Sequence, residues 1–300
     1  MLLQKTLILL IGVLIFSCRS SSEIQYLQKQ DWVYGTTFTV VIEIEKKENQ
    51  QFNEEELLKK IYAILKEINH AFSLYESQSK INRLNRNQEA HFTKKEMELF
   101  VLAKEICKLT GGYFFPYSRL TINQLKTKKL LVKGKHNDFC DMFSVEQESN
   151  FYKIKKRFPF VEFDFNAIAK GYAVDEIKAY LLSKNLTTFL VEWGGEVCVG
   201  RAPKKSPKGW RVGIESPKSD LLKKEIDEFL FLQNTCLASS GNYAKKHIWN
   251  PFGEISQESE AMTISVFGPS CTIADAYATA LVVNPNLSLY TDQYKLKITR

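Results

Sequence analysis

Several kinds of site and architecture have no signature in this sequence. Six cysteines stand at positions 18, 107, 140, 198, 236 and 271, with no CxxC pair and no metal-type cluster. That argues against a cysteine metal site and favours buried free thiols over a disulfide framework. No internal repeat or linker divides the chain, so it reads as a single domain. No aromatic-basic motif of a nucleic-acid module is present, which argues against a nucleic-acid partner. The strands and helices lack a regular βαβ rhythm, which argues against a doubly wound parallel sheet. With only 14 glycines in 300 residues and 44% hydrophobic residues, the chain is not disordered and has material for a core.

The apolar run Thr6–Phe16 falls short of the about 20 residues that a spanning helix needs. With Lys5 before it and the polar Arg19–Ser22 after it, it has the form of a signal-peptide h-region. Leu14-Ile15-Phe16-Ser17-Cys18 resembles the lipobox of bacterial lipoproteins. The resemblance implies export, removal of residues 1–17, and lipid attachment at Cys18 on a membrane facing the periplasm or the cell exterior. An ordinary cleaved signal peptide or a short anchor is the alternative. Residues 18–30 then read as a membrane tether and 31–300 as the working domain. A net charge of +7 draws such a domain mildly toward anionic lipid or phosphate-bearing ligands.

Within that domain, Trp32–Ile44 has strand character. Leu57, Leu58, Ile61, Ile64, Leu65 and Ile68 recur at helical spacing within Glu54–His70. A second helix runs from Lys94 to about Leu109 and stops at Gly111-Gly112. Thr121–Glu148 reads as a basic, irregular surface excursion. A strand at Pro159–Phe163 leads through Asp164–Gly171 into a helix reaching Ser183. Strands at Thr187–Trp193, Trp210–Glu215 and Met262–Phe267, a loop over Ala238–Phe252, and a final helix from near Thr272 complete an α+β series.

Four stretches hold more polar and small residues than a core needs. Asp164–Gly171 lies at a strand-to-helix junction, where unpaired N–H groups and Lys170 suit a phosphate; the alternative is Asp164 as a plain N-cap. Asp275 and Thr279, four apart on a helix, lie on one face, and their oxygens suit a hard cation such as Mg²⁺. By itself such a pair also fits ordinary capping and packing. Ser239–Tyr243 offers hydroxyls and a glycine turn, and nearby His247 is an acid or base near neutrality, or a structural histidine. Phe72–Asn85 follows the first helix; Tyr75 has the face to stack on a ring, and Ser79 and Asn85 are turn formers.

In order and content these stretches resemble the ApbE family of FAD:protein FMN transferases, from Tyr34-Gly35-Thr36 to Leu281. The matching pieces are Ser73 to Asn85, Thr110–Phe114, Asp164–Asp175, Leu190–Glu196, Trp210–Glu215, Ser239–Tyr243 and Ala274–Thr279. The resemblance implies a single T-fold-type α+β domain with a mixed or antiparallel sheet and packed helices. It implies transfer of FMN from FAD to a threonine hydroxyl of an acceptor flavoprotein, with Mg²⁺ on the pyrophosphate and release of AMP. By that resemblance Asp275, Thr279 and the carbonyl of Ala167 would hold the metal. Tyr34, Tyr75, Tyr113, Phe114, Asp164, Lys170, Ser240 and Gly241 would contact FAD, and His247 would help activate the hydroxyl. The chain departs from the family pattern at Phe115 and at Asn250, each of which removes a carboxylate, in a shorter loop between Tyr243 and His247, and at Phe252-Gly253, which lacks the expected Arg/Lys-Thr pair. A flavin-binding protein without catalysis, or a hydrolase giving FMN and AMP, stands beside the transferase reading.

Overall fold

The computed structural model describes residues 23–46, 52–118, 125, 138–219, 225–241, 248, 250–252, 262–289 and 291–299. Cys18, the signal segment and His247 lie outside the described residues.

The chain enters as an antiparallel hairpin, strand β1 (Glu23–Val33) and strand β2 (Thr36–Lys46). Val33 pairs with Thr36, so two residues reverse the chain: Tyr34 at φ 51° and Gly35 at φ 82°. Such a turn matches the right-handed twist of the strands it joins. The tether expected over 18–30 is therefore strand from Glu23 onward. Leu27 is buried, Gln25 donates to Glu54, and Tyr26 donates to Glu43. The segment reads like a linker because β1 is an edge strand, and edge strands carry polar residues on their open side.

Three helices follow. Helix α1 (Glu54–Phe72) is capped by Asn53, whose side chain accepts from the N–H of Glu56. The short α2 (Lys80–Asn85) is capped by Ser79, and α3 (Lys94–Leu109) opens with a capping box between Thr93 and Glu96. Two strand pairs come next: β3 (Tyr117–Ser118) with β6 (Glu162–Phe163), and β4 (Phe143–Glu148) with β5 (Phe151–Lys156). Residues 138–148 are thus ordered structure rather than an irregular excursion, with Phe139, Cys140 and Met142 buried.

Helix α4 (Ala169–Ser183) leads to β7 (Phe189–Trp193) and β8 (Glu196–Val199), joined through Gly194-Gly195. Then come the ribbon β9 (Trp210–Glu215) and β10 (Ile226–Leu232), β11 (Thr235–Gly241), β12 (Thr263–Gly268), α5 (Cys271–Val283) and β13 (Lys295–Thr299). Ala238–Gly241, expected in a loop, is the end of β11. The main sheet has seven strands in the order β1-β2-β7-β8-β11-β12-β13, all antiparallel, and α1, α4 and α5 contribute to its core.

Strand alternation sorts the side chains. On β8 and β11, Val197, Val199 and Leu237 pack with the ribbon residues Trp210, Val212 and Ile214. Their neighbours Cys198, Cys236 and Ala238 join the helix-side core, as do Val191 on β7 and Val40 and Ile42 on β2. By the same alternation Glu196 and Ser240 belong to the helix side, where the cavity lies.

Two disulfides, Cys107–Cys140 and Cys198–Cys236, correct the expectation of free thiols; Cys271 is free and buried. Cys198 and Cys236 face each other across β8 and β11 at a Cα separation of 4.0 Å. Cys107 and Cys140 meet through tertiary packing at 5.8 Å. Neither pairing has a sequence-spacing signature.

Candidate functional site

A cavity of about 770 Å³ opens where chain reversals and helix ends converge. Its lining includes Tyr34, Tyr75, Tyr113, Phe114, Asp164, Ala167, Lys170, Ser240, Gly241, Asp275 and Thr279. Every proposed site residue that is described therefore borders one space, although their sequence positions span 34 to 279. Phe115, Glu196, Trp193, Asn166, Ile248 and Pro251 line it too.

Two hairpin turns form one side. The Gly194 N–H donates to the carbonyl of Thr37 at 2.9 Å, which sets the β7–β8 turn beside the β1–β2 turn. A Cβ on Gly194 would lie 3.0 Å from the Thr36 side chain and 3.1 Å from Lys170 Cδ, so glycine permits this approach. Tyr34 and Tyr75 are exposed, Tyr75 at 88%, which leaves their ring faces open to a ligand. At the end of α3, Gly111 (φ 63°) and Gly112 (φ 94°) turn the chain so that Tyr113 and Phe114 reach the cavity. Asp164 does not cap α4, whose cap position is Ile168; its Oδ1 accepts from the N–H of Asn166 at 2.9 Å, two residues on.

The polar centre depends on contact between α4 and α5. Gly171 sits so close to α5 that a Cβ would lie 2.5 Å from the carbonyl oxygen of Cys271. Its N–H donates to Asp275 Oδ2 at 3.2 Å. One turn further along α5, Thr279 Oγ1 lies 3.2 Å from Ser240 Oγ. Lys170 donates to Glu196 Oε2 at 2.7 Å and to the Gly194 carbonyl at 3.1 Å. Glu196 and Asp275 are only 2% and 3% exposed.

Two buried acids thus share one ammonium. Burial pushes the Asp275 carboxyl up to about 6, against the pull of Lys170 and the Gly171 N–H. Burial pushes Glu196 up to about 8, again against Lys170, with Asp275 adding repulsion. For Lys170, burial works against the charged form, but Glu196 and Asp275 outweigh it and the net direction is upward. Asp275 has one oxygen on Gly171 and no second donor among the described residues. With the Thr279 hydroxyl beside it, this oxygen-rich, acid-excess corner suits a hard divalent cation.

Asp175 on α4 supports that corner from behind. It accepts from Ser270 Oγ (2.7 Å), the N–H and hydroxyl of Thr272 (2.9 and 2.7 Å) and Lys178 Nζ (2.7 Å), which fixes the start of α5. Burial pushes its carboxyl up, but Lys178 and the donors from Thr272 and Ser270 outweigh it and hold the acid ionised. Glu196 went unassigned at the sequence level. The available signal was a glutamate directly after the Gly194-Gly195 turn, on the strand paired with β11.

These features define an α+β protein whose main antiparallel sheet and helices border a cavity with aromatic faces and an acid-rich corner. Residues 34–291 match the ApbE family, and the chain belongs to it. An FAD:protein FMN transferase of Chlamydia muridarum is 28% identical over 272 residues, covering 82% of each chain. A protein of the same name from Vibrio cholerae is 23% identical, covering 73% of this chain and 71% of its own. Among solved structures, the flavin transferase ApbE from Vibrio cholerae superposes with a TM-score of 0.65 at 21% identity, covering 92% of this chain and 98% of that one.

Proposed function

We propose that this protein is an Mg²⁺-dependent FAD:protein FMN transferase. The observation that carries the reading is the convergence of Asp275, Thr279, Lys170, Glu196 and Ser240 with the aromatic mouth residues on one cavity. In the reaction an acceptor threonine Oγ attacks the FMN phosphorus. The bond from that phosphorus to the bridging oxygen breaks, and AMP leaves with the electron pair. Asp275 and Thr279, with the Ala167 carbonyl, would hold Mg²⁺. The metal, when bound, would neutralise the charge that gathers on the pyrophosphate.

The chain's own residues orient the substrate. Tyr34 and Tyr75 offer ring faces, Tyr113 and Phe114 line the space behind them, and Ser240 and Gly241 border the cation corner. Lys170 offsets part of the acid charge so that an anionic pyrophosphate can approach. His247, by the family resemblance, takes the threonine proton. Export and lipid attachment at Cys18 belong to the same proposal. The two disulfides support an oxidising compartment.

The test incubates the protein with FAD, Mg²⁺ and a threonine-bearing acceptor. Covalent flavin fluorescence on the denatured acceptor and equal AMP release are expected. AMP without acceptor labelling would identify a hydrolase, and bound FAD with neither product would sink the catalytic reading.

A further inference from the structure

Two chain segments line the cavity's aromatic side and a third packs behind them. The first begins at Cys107, near the end of α3. The Cys107 carbonyl accepts from the N–H of Gly112 at 2.8 Å and from Thr110 Oγ1 at 3.2 Å. Thr110 Oγ1 in turn accepts from the N–H of Phe114 at 3.1 Å. This end of α3 therefore sets the path on which Tyr113, Phe114 and Phe115 enter the cavity.

The second segment is the single turn Asp138–Cys140, which belongs to no sheet. The Cys140 carbonyl accepts from Tyr117 Oη at 2.8 Å, and Phe139 is 8% exposed. The third is Asn250-Pro251-Phe252, in which Asn250 Oδ1 accepts from the N–H of Phe252 at 3.0 Å. Ring contacts join all three: Tyr113 to Phe252 at 5.0 Å, Phe252 to Phe139 at 6.4 Å, Phe139 to Phe115 at 6.5 Å, and Phe115 to Tyr117 at 5.1 Å. Phe139 is the middle link. Through it the turn supports the cavity-lining Phe115 directly and, by way of Phe252, Tyr113 and the loop that carries Pro251.

The disulfide Cys107–Cys140 is the covalent tie between this turn and α3. Beside it, among the described residues, stand apolar packing in the shared core and ionic pairs. Asp141 meets Lys108 at 3.1 Å and Lys104 at 3.8 Å, in partly exposed pairs that salt screens. Asp138 pairs with Arg157 at 2.9 Å, just beyond β5, which tethers the turn away from α3.

We propose that the Cys107–Cys140 disulfide holds the flavin-binding wall in shape, that Phe139 is the positioning residue through which it acts, and that FAD is bound tightly only by the oxidised protein. The proposal rests on the flavin-transferase reading above. Reduction by dithiothreitol delivers two electrons and two protons to the bond, leaving two thiols while the reagent closes to its cyclic disulfide. The turn then keeps its ionic pairs and its apolar packing but has no covalent tie to α3 among the described residues.

The test titrates FAD against the full chain in mild detergent, at temperatures where circular dichroism shows each form folded. Losing the ring contacts of Phe139 should raise the Kd for FAD by about tenfold. That rise is expected for the reduced wild type, for the Cys107→Ser/Cys140→Ser variant, and for Phe139→Ala with both disulfides intact. Titrated without Mg²⁺, Cys198→Ala/Cys236→Ala should stay within about twofold of wild type, because its bridge touches none of these rings and its sulfurs lie instead against Asp175, behind the cation corner. In turnover, KM for FAD should rise while kcat is kept, a split that general loss of stability does not produce.

A Kd for Phe139→Ala within about twofold of wild type would overturn the proposal, and so would an equal loss in the Cys198/Cys236 variant. Should the Cys107/Cys140 variant fail to fold, the reduced wild type and Phe139→Ala decide together. An oxidised wild type that binds no FAD would overturn the flavin reading itself, and this inference with it. Tight binding that ignores reduction overturns only the inference.

Discussion

Gly171→Ala puts the α4–α5 contact to a direct test. The added Cβ would sit 2.5 Å from the Cys271 carbonyl oxygen and 3.0 Å from Asp275 Cβ. The carbonyl belongs to the backbone, so no rotamer change relieves the clash, and the helices must part by about 0.9 Å to restore ordinary contact. Overpacking of this kind costs about 1–3 kcal/mol. Alanine recovers about 1 kcal/mol of it through better helix propensity. A net loss near 1 kcal/mol would lower Tm by only about 3 °C. The functional loss should be far larger. The same displacement stretches the Gly171 N–H bond to Asp275 and shifts the proposed cation corner, and an error near 1 Å at a reacting centre costs about 100-fold in rate. Melting followed by circular dichroism and flavinylation followed by in-gel fluorescence measure the two effects separately. Gly213→Ala is the control: its Cβ would meet only the ends of Ile226 and Phe229 side chains, on the ribbon. A Gly171→Ala enzyme with unchanged kcat/KM would refute the claim that this contact sets the site.

Asp275→Asn should abolish Mg²⁺-dependent transfer. Because burial raises the Asp275 carboxyl to about 6 in the folded state, its contribution to stability is favourable below the ordinary carboxylate pKa and is lost as pH rises through 6. In the presence of a chelator, Asp275→Asn should therefore melt above wild type at pH 8 and lose that advantage by about pH 4. Asp175→Asn should act with the opposite sign. The native carboxyl is held low, so its stabilisation is present above the unfolded pKa and disappears as pH falls through the folded value. At neutral pH, removing this buried, multiply bonded charge should cost about 3 kcal/mol in urea unfolding, most of which vanishes in acid. Opening the Cys198–Cys236 bridge, which spans 38 positions, should cost about 4 kcal/mol by loss of loop constraint, read from denaturant midpoints of oxidised and double-alanine protein.

What the sequence revealed, and what it hid, follows from the range of each interaction. Helices α1 and α3 were legible because one apolar face at 3.6-residue spacing and a local cap suffice to define them. The pairing of Asp275 with Thr279 was legible for the same reason, being fixed by a single helical turn. β1 was missed because it pairs only with β2 and exposes Gln28, Lys29 and Gln30, a pattern shared with linkers. The disulfides were missed because pairing depends on which segments meet, and a separation of 33 or 38 positions carries no local signature. Glu196 was hidden by its own chemistry. A glutamate after a glycine turn reads as solvated, and only the approach of α4 makes it a buried partner of Lys170.

Of the departures from the family pattern, Phe115 lines the cavity and Asn250 stands next to the lining residue Pro251. Where the family resemblance implies a carboxylate, Phe115 has a ring packed edge-on against Tyr117 and tilted toward Phe139. Asn250 keeps the turn-forming acceptor an aspartate would supply, bonding the Phe252 N–H, but carries no charge. Both therefore belong to the aromatic wall, while Asp275, Thr279, Lys170 and Glu196 remain together elsewhere in the cavity. Among the described residues, position 115 meets the rings of Tyr117 and Phe139, and burying an unpaired charge against apolar neighbours is costly. The exchange of charge for packing thus goes with a wall held by ring contacts and a disulfide. The residues that would hold the cation and offset phosphate charge are left unchanged.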